Sequence, residues 1–290
     1  MLRHLKEHKT KPARVVILGS GGFVSGAVEA KLKNLKVPVH SLPRKELDLT
    51  SETAGSTLAS ILRPDDTLLF VSAKAPVKNE AMLIENLHMA KSVCEAIKKS
   101  VISHLVYISS DAVYADSDKP MTESFCAQPA SLHGVMHLAR EVMLANCFEG
   151  PLCILRPTLI HGEGDPHNGY GPNRFLRLVN AGEDIQLFGN GEEKRDHVWI
   201  ADVAEIVTLA ILFQSKGILN IASGEVNSFL DIAERLVSLT GSSSRIFANQ
   251  RIGQMPHNGY RAFDVSASRS AFPDFEYEKL FSVLERTNSC

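Results

Sequence analysis

Residues 15–26 read VVILGSGGFVSG, a short aliphatic run that opens directly into glycines. The helix-spaced segment FVSGAVEAKLKNL begins within the same stretch. A buried strand, a tight turn and a helix in this order can bind a pyrophosphate, because the glycines let backbone amides approach it at the helix N-terminus. The third position of the Gly-x-x-Gly-x-x-Gly spacing holds Ser25, so a purely structural turn stays open as the alternative.

The alternation of apolar runs and longer amphipathic segments continues along the chain. Apolar runs occur at VPVHSL, TLLFVSA, HLVYISS and LCILRP, and KNEAMLIENLHMAKSVCEAIKKS is the most helix-like of the segments between them. Strands that alternate with helices form right-handed crossovers and a parallel sheet covered on both faces. We therefore predict an α/β fold with a doubly wound parallel sheet of Rossmann type.

The pattern changes from about Gly162. The segment HGEGDPHNGYGPNRF is rich in Gly, Pro and Asn and is predicted to be a long functional loop. Beyond it, Ser228 is expected to cap the helix SFLDIAERLVSL. We expect a dinucleotide-binding domain at 13–165, to which 198–224 return, and a smaller interleaved C-terminal substrate lobe at 166–197 and 225–290.

Composition narrows the classes of ligand. The 290 residues are 44% hydrophobic, and 31 basic against 33 acidic residues give a net charge of -2. This balance predicts no nucleic-acid partner and no membrane surface, and favours a small-molecule ligand. No run reaches the roughly 18 apolar residues of a membrane span. The five cysteines contain no Cys-x-x-Cys pair, so we expect free thiols and a cytoplasmic protein.

The second predicted strand bears on the choice of cofactor. An acidic residue roughly 20 positions beyond the glycines would bind the ribose 2′-hydroxyl of NAD. Pro43 and Arg44 occupy that place, and an arginine there can pair with a 2′-phosphate. The sequence thus favours NADP over NAD, with a merely solvated Arg44 as the alternative.

Six segments occur in a fixed order between about Arg14 and Gly224: GSGGFVSG, LDLT, VSAKA, VYISSDAVYA, LRPTLIHG and KRDHVWIADVAEIV. Their order and spacing resemble the extended short-chain dehydrogenase/reductases, the NAD(P)-dependent epimerase/dehydratase group. The resemblance implies cofactor contacts at the pyrophosphate from Gly19, Gly22, Phe23 and Val24, at the adenine from Asp48 and Leu49, along the cofactor from Ala73, and near the nicotinamide from Pro157. Leu49 and Ala73 are also compatible with simple core positions.

The catalytic positions implied by the resemblance hold unusual residues. Ser110 matches the Ser or Thr that holds the reacting oxygen, although a strand-end serine often bonds its own backbone. The Tyr-x-x-x-Lys motif maps onto His133-Gly-Val-Met-His137. A tyrosine of reference pKa about 10 needs an activating lysine, whereas an imidazole titrates near 6.5 by itself, so His133 is a candidate acid/base. His137, one turn away, is a candidate donor to the nicotinamide ribose.

Three other interpretations of the histidines stay open. Histidines at this spacing can share a metal ion, but Glu141 lies about 12 Å along the helix from His133 and cannot join them, so no metal site is expected. The chain could instead be a catalytically inactive dinucleotide-binding sensor or structural subunit, since both usual catalytic side chains are absent. The two histidines could also be simply packed or solvated.

The second half implies a nucleotide-sugar substrate by the same resemblance. Arg195 matches an arginine that grips a diphosphate, with an exposed charge cluster at 192–196 as the alternative. Asn173 and Arg174 are candidate contacts on the long loop, and His161 is expected to face the sugar. Asp111 is followed by Ala112 rather than by the Glu of sugar dehydratases, which favours epimerisation or carbonyl reduction. The resemblance also suggests a homodimer formed through two helices.

Overall fold

The computed structural model describes residues 2–166 and 168–288. Its largest sheet has seven strands in the order β1-β10-β6-β5-β4-β2-β3. All neighbours in this sheet are parallel except β1, which runs antiparallel to β10. The strands are β1 (Arg3–His4), β2 (Arg14–Leu18), β3 (Val39–Leu42), β4 (Asp66–Phe70), β5 (His104–Ile108), β6 (Leu152–Pro157) and β10 (Ser215–Ile221).

Helices cover both faces of this sheet. One face packs against α1 (Phe23–Asn34) and α6 (Ile200–Leu212), where Val28 and Ile206 are fully buried. The other face packs against α2 (Ala54–Ile61), α3 (Glu80–Lys99) and α4 (Leu132–Cys147), where Leu58 and Leu144 are fully buried. The predicted doubly wound sheet is therefore confirmed, and a 3-10 turn at Asp111–Val113 follows β5.

Two smaller sheets are built from the second half of the chain. In the first, β9 (Lys194–Trp199) pairs with β7 (Leu159–His161), β11 (Val226–Ser228) and β13 (Tyr260–Arg261). In the second, β8 (Ile185–Phe188) pairs with β12 (Ile246–Asn249). A separate apolar cluster joins the surrounding helices, which are α5 (Pro172–Ala181), α7 (Phe229–Thr240) and α9 (Leu280–Asn288). A short α8 (Ser266–Ala271) and a second 3-10 turn (Pro256–Gly259) complete the chain.

Two local predictions can be checked directly. The Ser228 side chain accepts a hydrogen bond from the Asp231 amide at 3.0 Å, so the predicted cap of α7 is confirmed. The predicted long loop is shorter than expected, because α5 already begins at Pro172. Proline is well suited to the first turn of a helix, where its missing N–H needs no partner.

The turn after β2 requires glycine at one position in particular. Gly19 has φ +86°, and a Cβ there would meet Ser72 atoms at 2.7–2.9 Å. Ser25, in the place of a third glycine, is fully buried and donates from Oγ to the Gly19 carbonyl at 2.8 Å. The Ser25 side chain thus bonds the turn from its buried side, and the other side of the turn faces away from this hydrogen bond.

Candidate functional site

A cavity of about 850 Å³ lies where the strands β2, β4, β5 and β6 end. Its wall contains segments that directly follow each of these strands and segments of α4, α5, β9 and β13. Crevices at the carboxyl ends of parallel strands are the usual ligand sites of open α/β sheets. The volume is at the large end of the range for small-molecule sites.

Most of the site residues predicted from sequence line this one cavity. They are Gly19, Gly22, Phe23, Val24, Arg44, Asp48, Leu49, Ala73, Ser110, His133, His137, Pro157, Asn173 and Arg195. Two predicted residues do not line it. His161 is 2% exposed within β7, and Arg174 is exposed on α5.

His133 and His137 lie one turn apart on α4, with ring centroids 4.7 Å apart and planes at 87°. The helix can approach the turn after β5 because of Gly134, where a Cβ would be 2.0 Å from the Ala112 carbonyl oxygen. His133 Nδ1 is buried with no hydrogen-bond partner among the described residues. Burial lowers the pKa of His133 below 6.5, opposed by nearby Asp111 and assisted by the charge of Arg140.

One ring nitrogen of His137 is hydrogen-bonded to a buried tyrosine. Its Nδ1 lies 2.8 Å from the hydroxyl of Tyr107, a fully buried residue of β5. Burial lowers the pKa of His137 well below 6.5, with smaller contributions from His133 and Arg140. His137 is therefore a neutral imidazole at neutral pH, with Nε2 as its remaining polar atom.

Ser110 caps the short 3-10 turn beside the histidines. Its Oγ accepts from the Ala112 amide at 3.1 Å and donates to Asp111 Oδ1 at 3.3 Å. The backbone-bonding role considered for this serine is therefore present, although Ser110 also lines the cavity. A hydroxyl has one proton and two lone pairs, so one lone pair remains for a ligand.

Asp111 is engaged by an arginine that sequence reasoning missed. Arg261, on β13, is 1% exposed and donates from Nε to Asp111 Oδ2 at 2.7 Å. The partners are 150 residues apart in sequence. Arg261 lines the cavity next to Arg195, since the two residues pair in register between β13 and β9. No sequence signal marks this pair, which exists only because two distant strands meet.

Arg195 is mostly buried rather than part of an exposed cluster. Its side chain is 11% exposed, and Nη1 donates to Glu193 Oε1 at 3.1 Å. Arg195 Nε has no partner among the described residues. His197, which was also not predicted, lines the cavity with both ring nitrogens unpartnered in the described part of the chain. Arg195 and Arg261 thus lie side by side on the cavity wall, and each is paired with a carboxylate, Glu193 and Asp111 respectively.

The long loop is held by Asn173. The amide of this side chain accepts from the Gly162 backbone at 2.9 Å and donates to Asp165 at 2.9 Å. Asn173 thus reaches the cavity wall while it fixes the loop around itself. Tyr170 and Asp165 of the same loop also line the cavity.

The other end of the cavity carries a balanced set of charges. Arg44 is 67% exposed and lies 3.2 Å from Asp48 and 3.8 Å from Glu85. Lys74 bonds the same Glu85 at 2.6 Å. Hydrogen bonds from Thr50 and Arg44 lower the pKa of Asp48.

The acidic residue of α4 belongs to a different network. Glu141 is bound by Arg156 at 2.5 Å and accepts from Ser109 at 2.5 Å. Among the described residues no group of three or more His, Cys, Asp or Glu could hold a metal ion. None of the helices in 2–166 and 168–288 combines the length and apolarity that crossing a lipid bilayer requires.

The glycine turn and the doubly wound sheet define a fold of the Rossmann class. Residues 15–222 match the model of the NAD dependent epimerase/dehydratase family. This match covers most of the chain, and the chain belongs to that family.

Individual relatives are distant in sequence. A protein of Bacillus subtilis (strain 168) named "Uncharacterized UDP-glucose epimerase YtcB" is 24% identical over 281 residues, which are 92% of this chain and 86% of that protein. Three other curated relatives are matched over only 50%, 58% and 60% of their own length.

Solved structures are similar in fold. The UDP-glucose 4-epimerase of Thermus thermophilus, in complex with NAD, has a TM-score of 0.82 at 20% identity, covering 95% of this chain and 98% of that one. The GDP-L-fucose synthetase of Naegleria fowleri, bound to NADP, has a TM-score of 0.79 at 15% identity, covering 99% and 94%. Of these two neighbours, the first is bound to NAD and the second to NADP.

Proposed function

We propose that this protein is an NAD(P)-dependent epimerase or reductase that acts on a hydroxyl or carbonyl of a nucleotide-sugar, with His133 as the acid/base. One observation carries the proposal: His133, His137 and Ser110 line the same cavity as the glycine turn that would hold a pyrophosphate. A packed or purely structural histidine pair would not need to share a wall with the dinucleotide turn.

The residues present fit a dinucleotide. Glycine at position 19 lets the turn pack closely against Ser72, where a Cβ would collide. The helix α1 begins directly after Gly22, whose own amide donates to Ser25 Oγ at 3.0 Å, and no side chain of the N-cap residue binds the first amides of the helix. The bound nicotinamide would supply hydride exchange. Phe23, Val24, Leu49, Ala73 and Pro157 are the proposed apolar contacts along the dinucleotide.

The proton follows a separate route through the chain's own residues. His133 is neutral above its lowered pKa and can accept the proton of a sugar hydroxyl as the carbon loses hydride. Ser110 orients the reacting oxygen, and His137 donates from Nε2 to a ribose hydroxyl. In the reducing direction His133 returns the proton to the carbonyl oxygen.

The type of reaction follows from what surrounds Asp111. Elimination of water from a sugar needs a second acid/base pair near the reacting carbons. Asp111 is occupied by the Arg261 guanidinium, and its neighbour is Ala112. This arrangement supports epimerisation or carbonyl reduction rather than dehydration.

The substrate end supports a phosphorylated ligand. Arg195 and Arg261 stand side by side on the cavity wall, and guanidinium groups match the geometry of phosphate oxygens. We assign Asn173 to the loop that covers the sugar. Neither His161 nor Arg174 lines the cavity, so the lobe would have to move on binding for either residue to contact the sugar.

Arg44 and the free cysteines bear on the cofactor and on the cellular compartment. The exposed guanidinium of Arg44 on the cavity wall supports NADP over NAD. The chain divides into the dinucleotide-binding part and the substrate lobe given above, and its unpaired Cys94, Cys126, Cys147 and Cys153 favour a cytoplasmic compartment.

Exposed apolar side chains on two neighbouring helices support a homodimer. They are Ile84 on α3 and Leu132, Val135 and Val142 on α4. The three residues of α4 lie on one face of the helix, and such patches commonly mark an interface.

The test is a titration of the purified protein with NAD(H) and NADP(H), followed by a panel of nucleotide-sugars monitored for sugar conversion. His133→Phe should abolish turnover and leave dinucleotide affinity nearly unchanged, because the ring still fills its place but exchanges no proton. His137→Ala should instead weaken dinucleotide binding. Dinucleotide binding without conversion of any sugar, unaffected by His133→Phe, would favour the inactive sensor or structural subunit.

A further inference from the structure

Arg140 is one of the largest fully buried side chains among the described residues, with 0% exposure. It lies on α4, one turn beyond His137. Its guanidinium donates to the Asn86 carbonyl at 2.8 Å, to the Asn86 side-chain oxygen at 2.9 Å and to the Ser72 carbonyl at 2.8 Å. Its carbon Cζ lies 4.9 Å from the centroid of the Phe70 ring. In the described part of the chain every acceptor of this cation is uncharged.

A buried cation without a carboxylate is costly, so it calls for an explanation. Arg156, another buried arginine near α4, shows the usual solution, because Glu141 binds it with two hydrogen bonds. Arg140 instead keeps its full positive charge inside the protein, and a guanidinium does not deprotonate. Its field acts on whatever polar groups lie beside it.

The neighbours of Arg140 are Tyr107 and the two histidines. The Phe70 ring lies against both Arg140 and Tyr107, and the charge of Arg140 acts on the Tyr107 hydroxyl. That hydroxyl lies 2.8 Å from His137 Nδ1. Burial raises the pKa of Tyr107, so its side chain stays a neutral phenol with one proton. A guanidinium has donors and no acceptor, so its charge favours the orientation in which the Tyr107 proton is directed away from it, towards His137 Nδ1.

We propose that Arg140 is the positioning residue of the histidine site: through the Tyr107 hydroxyl it fixes His137 as the tautomer with its proton on Nε2, facing the cavity. The proposal rests on the function assigned above for its catalytic meaning, since a fixed Nε2 donor is what a ribose hydroxyl requires. The orientation itself is a property of the chain alone.

The same charge acts on His133. The groups around His133 are Asp111 on the 3-10 turn, which favours the charged imidazole, and Arg140 and His137 on α4. Tyr107 on β5 and Asn86 on α3 are neutral, and the Glu141–Arg156 pair compensates itself. Burial is the largest cause that lowers the pKa of both imidazoles, and the charge of Arg140 acts in the same direction. Arg140 thus adds to burial in favouring the unprotonated form that a base requires.

Arg140 also ties the histidine helix to the wall of the dinucleotide cavity. The side-chain amide of Asn86, which Arg140 binds, also accepts a hydrogen bond from the Lys74 amide and donates one to the Lys74 carbonyl, each at 3.0 Å. Ser72 and Lys74 lie on the segment after β4 that lines the cavity. A structural role of this kind would be lost in any variant that loosens α3 and α4, so the test must separate charge from packing.

The experiment is NMR of the histidine rings in the cofactor-free protein, with His133→Gln and His137→Gln spectra to assign the signals. In the unmodified protein, ring nitrogen shifts should show His137 protonated at Nε2. Arg140→Met should raise the pKa of His133, while Arg140→Lys, which keeps the charge, should restore the unmodified value. Tyr107→Phe should release the tautomer of His137 and leave the titration of His133 unchanged.

Cys94→Ala is the matched control, because Cys94 packs between α3 and α4 and carries no charge. It should change neither signal. His137 protonated at Nδ1, or a folded Arg140→Met in which His133 titrates as before, would overturn the proposal. If both Arg140 variants fail to fold, the comparison of the unmodified protein with Tyr107→Phe still tests the proposal. A His137 tautomer that is the same in both would overturn it. Because no substrate is used, an inactive protein with the expected tautomer would refute the function and leave the positioning role standing.

Discussion

His133, the proposed acid/base, differs from a solvated histidine because it is partly buried and is influenced by the charges of Asp111 and Arg140. Burial and the arginine together outweigh the aspartate, and its pKa falls below 6.5. The imidazole is therefore unprotonated through the neutral range without the help that a tyrosine needs. Two imidazoles at the positions that the resemblance gives to a phenol and an ammonium are chemically consistent with this environment.

At Arg44 the choice of cofactor can be tested by one substitution. Arg44→Ala should weaken NADP(H) binding by about 1.5–3 kcal/mol, the range of a charge-assisted hydrogen bond, and leave NAD(H) binding nearly unchanged. Calorimetric titration with both dinucleotides measures the difference. Equal losses for the two cofactors would show that Arg44 bonds only Asp48 and Glu85, its partners in the structure.

Among the elements, α4 decides the geometry of the site through its contact with the turn after β5. Gly134→Ala would place a methyl group 2.0 Å from the Ala112 carbonyl oxygen, a backbone atom that cannot move aside cheaply. The free energy of unfolding should fall by about 1–3 kcal/mol despite the better helix propensity of alanine. Urea unfolding followed by circular dichroism measures this loss.

The matched control is Gly26→Ala in α1, where a Cβ would meet nothing within 4 Å. Alanine there should leave the protein equally stable or add up to about 1 kcal/mol. A Gly134→Ala variant as stable as Gly26→Ala would mean that α4 does not depend on the close approach at Ala112.

Features that depend on neighbouring residues in the sequence could be predicted, whereas contacts between distant strands could not. The alternation of strands and helices and the Ser228 cap depend on residues close together in sequence, and both could be predicted. Arg261 could not, because it reaches Asp111 only when β13 pairs with β9. The two-residue strand β1 carries no periodic pattern at all, and His161 was expected in the cavity that His197 lines instead.

For the whole molecule, buried titratable groups predict how stability depends on pH. Burial lowers the pKa of His104 and His161 to about 4, and lowers those of His137 and His197 as well. Between these values and 6.5 the unfolded chain binds more protons, so the free energy of unfolding rises with pH.

Two buried carboxyl groups act in the opposite direction. Burial raises the pKa of Asp196 and of Asp202 to about 6, so between pH 3.8 and 6 the folded state binds more protons and stability falls as pH rises. The four histidines outnumber the two carboxyl groups, so the free energy of unfolding should rise from pH 5 to 6.5.

Urea unfolding at the two pH values tests this balance. His104→Asn should reduce the rise, whereas His88→Asn, at an exposed position of α3, should leave it unchanged. A stability that is flat or falls between pH 5 and 6.5 would show that the buried carboxyl groups dominate.

The central claim, that His133 exchanges the proton during hydride transfer, is tested most directly by the pH dependence of nicotinamide reduction in a single turnover. With saturating dinucleotide and a nucleotide-sugar, the rate of sugar oxidation should rise with pH through a value below 6.5 and then stay level, since only the neutral imidazole accepts the proton. His133→Phe should show no such turnover at any pH. A rise near the tyrosine reference value, or reduction that persists in His133→Phe, would contradict the account.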